Sequence, residues 1–173
     1  MRQLFLWQLG GHVKRLGGQT GIFANLLADQ YPDWELGLRM IMPTAVITGI
    51  EVLRRAGWTT QIPYFPTVFV SSAKRTHEVE HFKVLAQPPG WFDLVRDGIR
   101  GGENVALPQL APAWALAELI KREGWCDCGL GPDDIYWDKV SELDRTEWLA
   151  ACSALGLDNL PINPDHKMPS GAR

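Results

Sequence analysis

Residues 39–72, RMIMPTAVITGIEVLRRAGWTTQIPYFPTVFVSS, decide how the rest of the chain is read. Pro43 and Thr44 suit a helix start, where proline forfeits no intrahelical N–H donor. Ile47, Ile50 and Leu53 recur near helical spacing with Val46 on the flank, which predicts a helix with one buried stripe. Arg54 and Arg55 fall in its last turn, where cations complement the negative end of the helix dipole. Gly57 then ends it as a left-handed cap residue would. After a polar connection, Thr67, Val68, Phe69 and Val70 predict a strand, because β-branched and aromatic side chains suit a pleated surface.

Working outward, residues 81–86 (HFKVLA) alternate well enough to partner that strand, with SSAKRTHEVE as the polar tip of a long hairpin. Pro88, Pro89 and Gly90 break the pairing; 91–95 reads as strand or turn, and 97–103 as a loop. Residues 104–110 predict a strand interrupted at Pro108, which places it at a sheet edge. Residues 112–123 predict a helix, with Pro at its start, Ala, Leu, Glu and Lys inside and Gly124 after it. Two further helices are expected at 132–143 and 144–155, with Asp144 and Glu147 at capping-box spacing and Gly156 as the stop. Toward the N-terminus, apolar residues from Leu4 to Leu16 predict a helix weakened by Gly10 and Gly11, and Thr20 caps a second one ending at Tyr31-Pro32. The two outline a helix-turn-helix, an outline that any αα-hairpin shares. The fold class expected is α/β (α+β): a small antiparallel or mixed sheet packed by helices, with an incomplete HTH-like helical piece in front. Residues 1–38 form that piece, 39–156 the core with its C-terminal helices, and the Pro-rich polar tail 157–173 reads as disordered.

A chain of 173 residues with 46% hydrophobic and 21% charged residues is an ordinary globular domain in composition. No apolar run is long enough for a membrane span, and the first residues lack a signal-peptide cleavage site. Three cysteines, Cys126, Cys128 and Cys152, suit a reducing cytoplasm better than a disulfide scaffold. The net charge of −3 conceals an asymmetry: residues 1–100 carry 11 Lys/Arg against 8 Asp/Glu, and residues 101–173 carry 6 against 12. Either the halves face different partners, nucleic acid and a basic protein, or the surface charge is uneven without consequence.

No stretch spells out a reaction, and the chain reads as non-catalytic. Cys126-x-Cys128 with a distant Cys152 lacks the paired spacing of a zinc site, so no metal or other cofactor is expected. Gly17-Gly18-Gln19-Thr20-Gly21 lacks the lysine of a phosphate-binding loop. His77, Glu78, Glu80 and His81 fall on the expected hairpin tip, where no closed site surrounds them. For nucleic acid the useful cations are Lys14 and Arg15 at the first turn and Lys74 and Arg75 on that tip; they either track a phosphate backbone or keep an edge soluble. Asp133, Asp134 and Asp138 either face a basic partner protein or complement a helix dipole.

The order PTAVITGIEVLRRAGW (43–58), a strand at 67–71, a second at 81–86, and LAPAWALAEL (110–119) resembles the AbiE-type antitoxins. These are transcriptional regulators paired with nucleotidyltransferase-like toxins in type IV toxin–antitoxin systems. Pro43, Ile50, Leu53 and Gly57 match the first family segment; Ala111, Pro112, Ala115, Leu116 and Glu118 match the second. The resemblance spans residues 39–125 and implies a cytoplasmic bacterial regulator that binds DNA, a cognate toxin, or both. The family carries a complete winged helix-turn-helix before this region; here residues 1–38 precede it. The alternatives are a nucleotide-handling enzyme or a degenerate relative of one, and a protein-interaction module of a mobile element.

Overall fold

Val46–Thr48 is the middle strand of a sheet, not the first turn of a helix. In the computed structural model, which describes residues 2–17, 20–72, 79–101, 107–125 and 127–157, all three of these residues are buried. Burial on both sides of a short β-branched run is the mark of a central strand, and over so short a run helical spacing cannot be told from it. Gly49 then turns the chain at φ 72° and ψ −152°, a conformation natural only to glycine, and the helix begins at Ile50. The expected helix from Pro43 is thereby corrected to a strand, β3 (Val46–Thr48), and a short helix, α3 (Ile50–Arg55), that ends before Gly57 as expected.

Four more strands complete the sheet in the order β5-β4-β3-β7-β6: β4 (Thr67–Ser71), β5 (Lys83–Gln87), β6 (Ile99–Arg100) and β7 (Gln109–Leu110). β3 pairs antiparallel with β4, aligning Thr48 with Thr67, whereas β4 and β5 run parallel, aligning Thr67 with Lys83. The expected antiparallel hairpin of 67–71 and 81–86 is therefore not formed. Alternation shows that a strand is present but not its direction. β7 is not at an edge either: it lies between β3 and β6 because Pro108 precedes the strand, and the Pro108 carbonyl accepts from Ile47 N at 2.9 Å.

The register divides the side chains between two covered faces. Val46, Thr48, Thr67, Phe69 and Lys83 point one way, toward α5 (Pro112–Glu123), whose Glu118 meets Thr48 and whose Arg122 lies over Phe69. Ile47, Val68, Val70 and Val84 point the other way and are buried as well. There Arg55 bonds both Gln109 and Glu35 of α2 (Trp34–Ile41), tying that helix to the sheet. α5 buries every residue from Ala113 to Ile120; its alanines let the backbone lie close to its neighbours. At Gly98 any Cβ would sit 2.3 Å from Trp114 Cγ, so glycine there admits the indole. α4 (Pro89–Leu94) resolves the ambiguous 91–95 as helix, with Trp91 edge-on to Phe69 at 4.7 Å.

α6 (Glu142–Leu155) packs on α5, with Lys121 Nζ donating to the Leu155 carbonyl at 2.6 Å. The two helices expected at 132–155 are thus two 3-10 turns, Pro132–Asp134 and Trp137–Lys139, and a single helix. Ser141, not Asp144, is the cap: Ser141 and Asp144 form the capping box, which leaves Glu147 to pair with Arg100 at 2.6 Å. Gly156 ends the helix in the left-handed conformation, as expected.

The N-terminal helix is present as α1 (Arg2–Leu9) and stops at the two glycines that weaken it. The second helix expected after Thr20 is instead a strand: β1 (Val13–Arg15) and β2 (Phe23–Asn25) form an antiparallel hairpin. Val13 and Phe23 favour a strand, and Gly21 at φ 70° with the Thr20 hydroxyl donating to the Gly17 carbonyl closes the turn. The hairpin is fixed to the sheet domain by fully buried Leu16, whose carbonyl accepts from Glu80 N at 2.8 Å.

Candidate functional site

Thr48, Thr67 and Lys83 stand at one level on three adjacent strands and on one face of the sheet. α5 crosses above them and contributes Glu118, Arg122 and Glu123. The Thr48 hydroxyl donates to Glu118 Oε2 at 3.3 Å, and Arg122 Nε donates to Glu118 Oε1 at 2.9 Å. Arg122 also bonds Glu123, and Lys83 Nζ lies 3.8 Å from the same carboxylate. Burial pushes the Glu118 carboxyl above the usual range; the Arg122 charge and the two hydrogen bonds offset that in part, and Glu123 adds to it.

A cleft of about 310 Å³ opens beside this ladder, between α5, the start of α3 and the loop 59–66. Glu51, Lys83, Arg122 and Glu123 are its charged walls, and Ile50, Tyr64, Phe65 and Leu119 its apolar ones. Burial alone would raise the Glu51 carboxyl, but the hydrogen bonds and charges of Arg54 and Arg55 outweigh it and hold the group below the usual range. All three carboxylates therefore face arginines.

Of the sequence-predicted cations, Lys14 and Arg15 lie on β1. Lys14 Nζ is 5.8 Å from the Trp34 ring centroid, and the Arg15 guanidinium is 5.8 Å from that of Phe23. Among the described residues neither has a carboxylate within ion-pair distance. On Trp34 also stacks His81, with 4.9 Å between centroids, held at φ 70°. Burial lowers the His81 pKa, Lys14 lowers it further, and Glu80 opposes them. Lys74, Arg75, His77 and Glu78 lie outside the described residues, and the hairpin on which they were placed is not the pairing that forms.

Asp133, Asp134 and Asp138 lie on the two 3-10 turns and are exposed, but they do not act as one group. Asp134 accepts from Gly131 N at 2.7 Å and closes its own turn; Asp138 is 3.6 Å from Lys139. Cys126 lies outside the described residues, Cys128 is half-buried beside the cleft, and Cys152 is buried in α6. Among the described residues no three His, Cys, Asp or Glu side chains are grouped to hold a metal ion, and no helix is long and apolar enough to cross a membrane.

Sequence reasoning missed the ladder of Thr48, Lys83, Glu118 and Arg122, whose members are up to 74 positions apart. One signal was legible: Glu118 and Arg122 at i,i+4 spacing on a helix whose other residues are mostly apolar. No protein-family model matches this chain, and no curated protein matches it.

Proposed function

We propose that the chain is a non-catalytic, antitoxin-like regulator that contacts DNA through its N-terminal helix and hairpin and neutralises a nucleotidyltransferase-like toxin by binding it. One observation carries the DNA half: α1 leads directly into a two-stranded wing on which Lys14 is exposed and Arg15 adjoins it. Elsewhere Arg54, Arg55, Arg96, Arg100, Arg122 and Arg145 are spent in ion pairs. Cations on a hairpin without carboxylate partners among the described residues are suited to phosphate contacts, which fix register and orientation on a duplex. Lys74 and Arg75 carry the same expectation from sequence alone.

For the toxin half, the support is the exposed acidity of Asp133 and Asp138, together with the resemblance of residues 39–125. A mobility shift with DNA from upstream of the protein's own gene tests the first half. Binding at low salt is expected, and Lys14→Glu with Arg15→Glu should flatten the dependence of log K on log salt by roughly 1 to 2. Absence of any shift at low salt sinks it. Co-expression with a nucleotidyltransferase encoded next door tests the second half; neither growth rescue nor co-purification would end it.

A further inference from the structure

We propose that the cleft beside Thr67 and Lys83 is a docking site for a protein segment that presents a carboxylate next to an aromatic or branched apolar side chain. This rests on the reading of the chain as a binder of a partner protein, and it names the chemistry of that partner's contact. The charges of the cleft are sorted by depth. Of its four charged walls, Glu51 is the deepest, with its side chain 8% exposed, and Lys83 the outermost at 55%; Arg122 and Glu123 lie between them at 21% and 28% and are paired with each other. Glu51 and Glu123 are each already paired with arginine, so the outermost charge offered to an incoming group is the Lys83 ammonium. Lys83 is the least committed member: its ammonium carries three donors, and Glu123 at 3.8 Å is beyond hydrogen-bond distance. Its place as the first residue of β5, with its own N–H bonded to the Pro66 carbonyl at 2.9 Å, fixes where that charge is offered.

The apolar half of the cleft extends beyond its own walls. Ile62 and Tyr64 on the loop before β4 are 81% and 91% exposed, and Phe65 packs edge-on against Tyr64 at 4.5 Å. A small ligand filling about 310 Å³ would leave Ile62 and most of Tyr64 in water. A protein surface, one of whose side chains enters the cleft, covers them as well. Pro63 and Pro66 restrict the loop backbone, so its aromatic residues are presented with little left to order on binding. Aromatic residues around a pocket, with a charge at its edge, are the usual makeup of a binding hot spot.

Isotope-labelled protein titrated with a blocked peptide, Gly-Asp-Phe-Leu-Gly, provides the test, followed by amide shifts. Saturable shifts at residues 62, 64, 65, 67, 83 and 122 are expected, with binding about fivefold tighter than for the same peptide carrying Lys in place of Asp. Lys83→Glu should reverse that preference, and Tyr64→Ser should weaken both peptides. Both positions are exposed, so unchanged spectra elsewhere show that the variants still fold. The proposal is overturned by no saturable shift up to about 1 mM, by equal affinity for the two peptides, or by 3-phenylpropionate binding as tightly as the acidic peptide. Failure of the toxin to co-purify while the peptide still binds this cleft removes the toxin as the partner and leaves the docking site standing.

Discussion

Thr48 and Glu118 are both buried, and each gives the other a polar partner inside an apolar layer. Removing one partner of such a bond leaves the other desolvated, so Thr48→Val should cost roughly 1 to 3 kcal/mol by denaturant unfolding, and should push the Glu118 carboxyl further up. A cost near zero would show that Arg122 alone satisfies that carboxylate. At Gly98 the constraint is steric: three atoms of the Trp114 indole lie within 2.8 Å of the point where a Cβ would stand. Gly98→Ala should destabilise by about 1 to 3 kcal/mol as the indole is displaced, visible as altered tryptophan fluorescence. His81 adds a pH dependence whose sign follows from its surroundings. Its folded pKa is depressed by burial and by Lys14, so the fold prefers the neutral ring. The stability it lends is complete above the ordinary histidine value of about 6.5 and is lost as pH falls below that toward the folded value. Exchange of the Glu80 amide, corrected for its intrinsic rate, should therefore accelerate between about pH 7 and 5 in the native chain and less so in His81→Asn. Equal pH responses in the two chains would remove His81 from this role.

At the scale of elements, punctuation was more legible than direction. α5 begins and ends where proline and glycine place it, because a helix is made of contacts between near neighbours in sequence. Gly57, Gly124 and Gly156 all adopt positive φ at or just beyond helix ends. The cap of α6 lies three residues before its expected place, since Ser141–Asp144 and Asp144–Glu147 have the same spacing; the Arg100 ion pair draws Glu147 away. Ser141→Ala should therefore cost about 1 kcal/mol. The same change at Thr146, which bonds back to the Glu142 carbonyl within the helix, should cost less than about 0.5 kcal/mol. Thermal unfolding distinguishes the two sites. The strands were legible as strands at 67–71 and near 83–87, but a strand's alternation reads the same in either direction. Whether β5 runs with or against β4 is decided by where the connecting segment delivers the chain. For β3 the ambiguity was deeper: Val46, Ile47, Ile50 and Leu53 fit a helical stripe and a strand-then-helix equally, and only the sheet that buries both Val46 and Ile47 on its two faces separates them.

The whole molecule combines a well-buried sheet domain with an N-terminal helix that buries little. Leu4, Phe5, Leu6, Trp7 and Leu9 of α1 are all substantially exposed, so the helix adds little to the stability of the sheet. A chain beginning at His12 should unfold within about 0.5 kcal/mol of the full chain and bind less apolar dye. A large loss of stability would show that α1 supports the core. Composition and caps fixed the class of the fold, the presence of a sheet packed by helices, and the start and stop of α5, because each depends on residues a few positions apart. The sequence also named Lys14 and Arg15, which the hairpin now carries without carboxylate partners among the described residues. The order and direction of the strands, the hairpin in place of a second N-terminal helix, and the joining of Thr48, Lys83, Glu118 and Arg122 in one ladder were decided only in three dimensions. Pairing partners far apart in the chain are chosen by burial and charge complementarity across the sheet, and no local pattern records that choice.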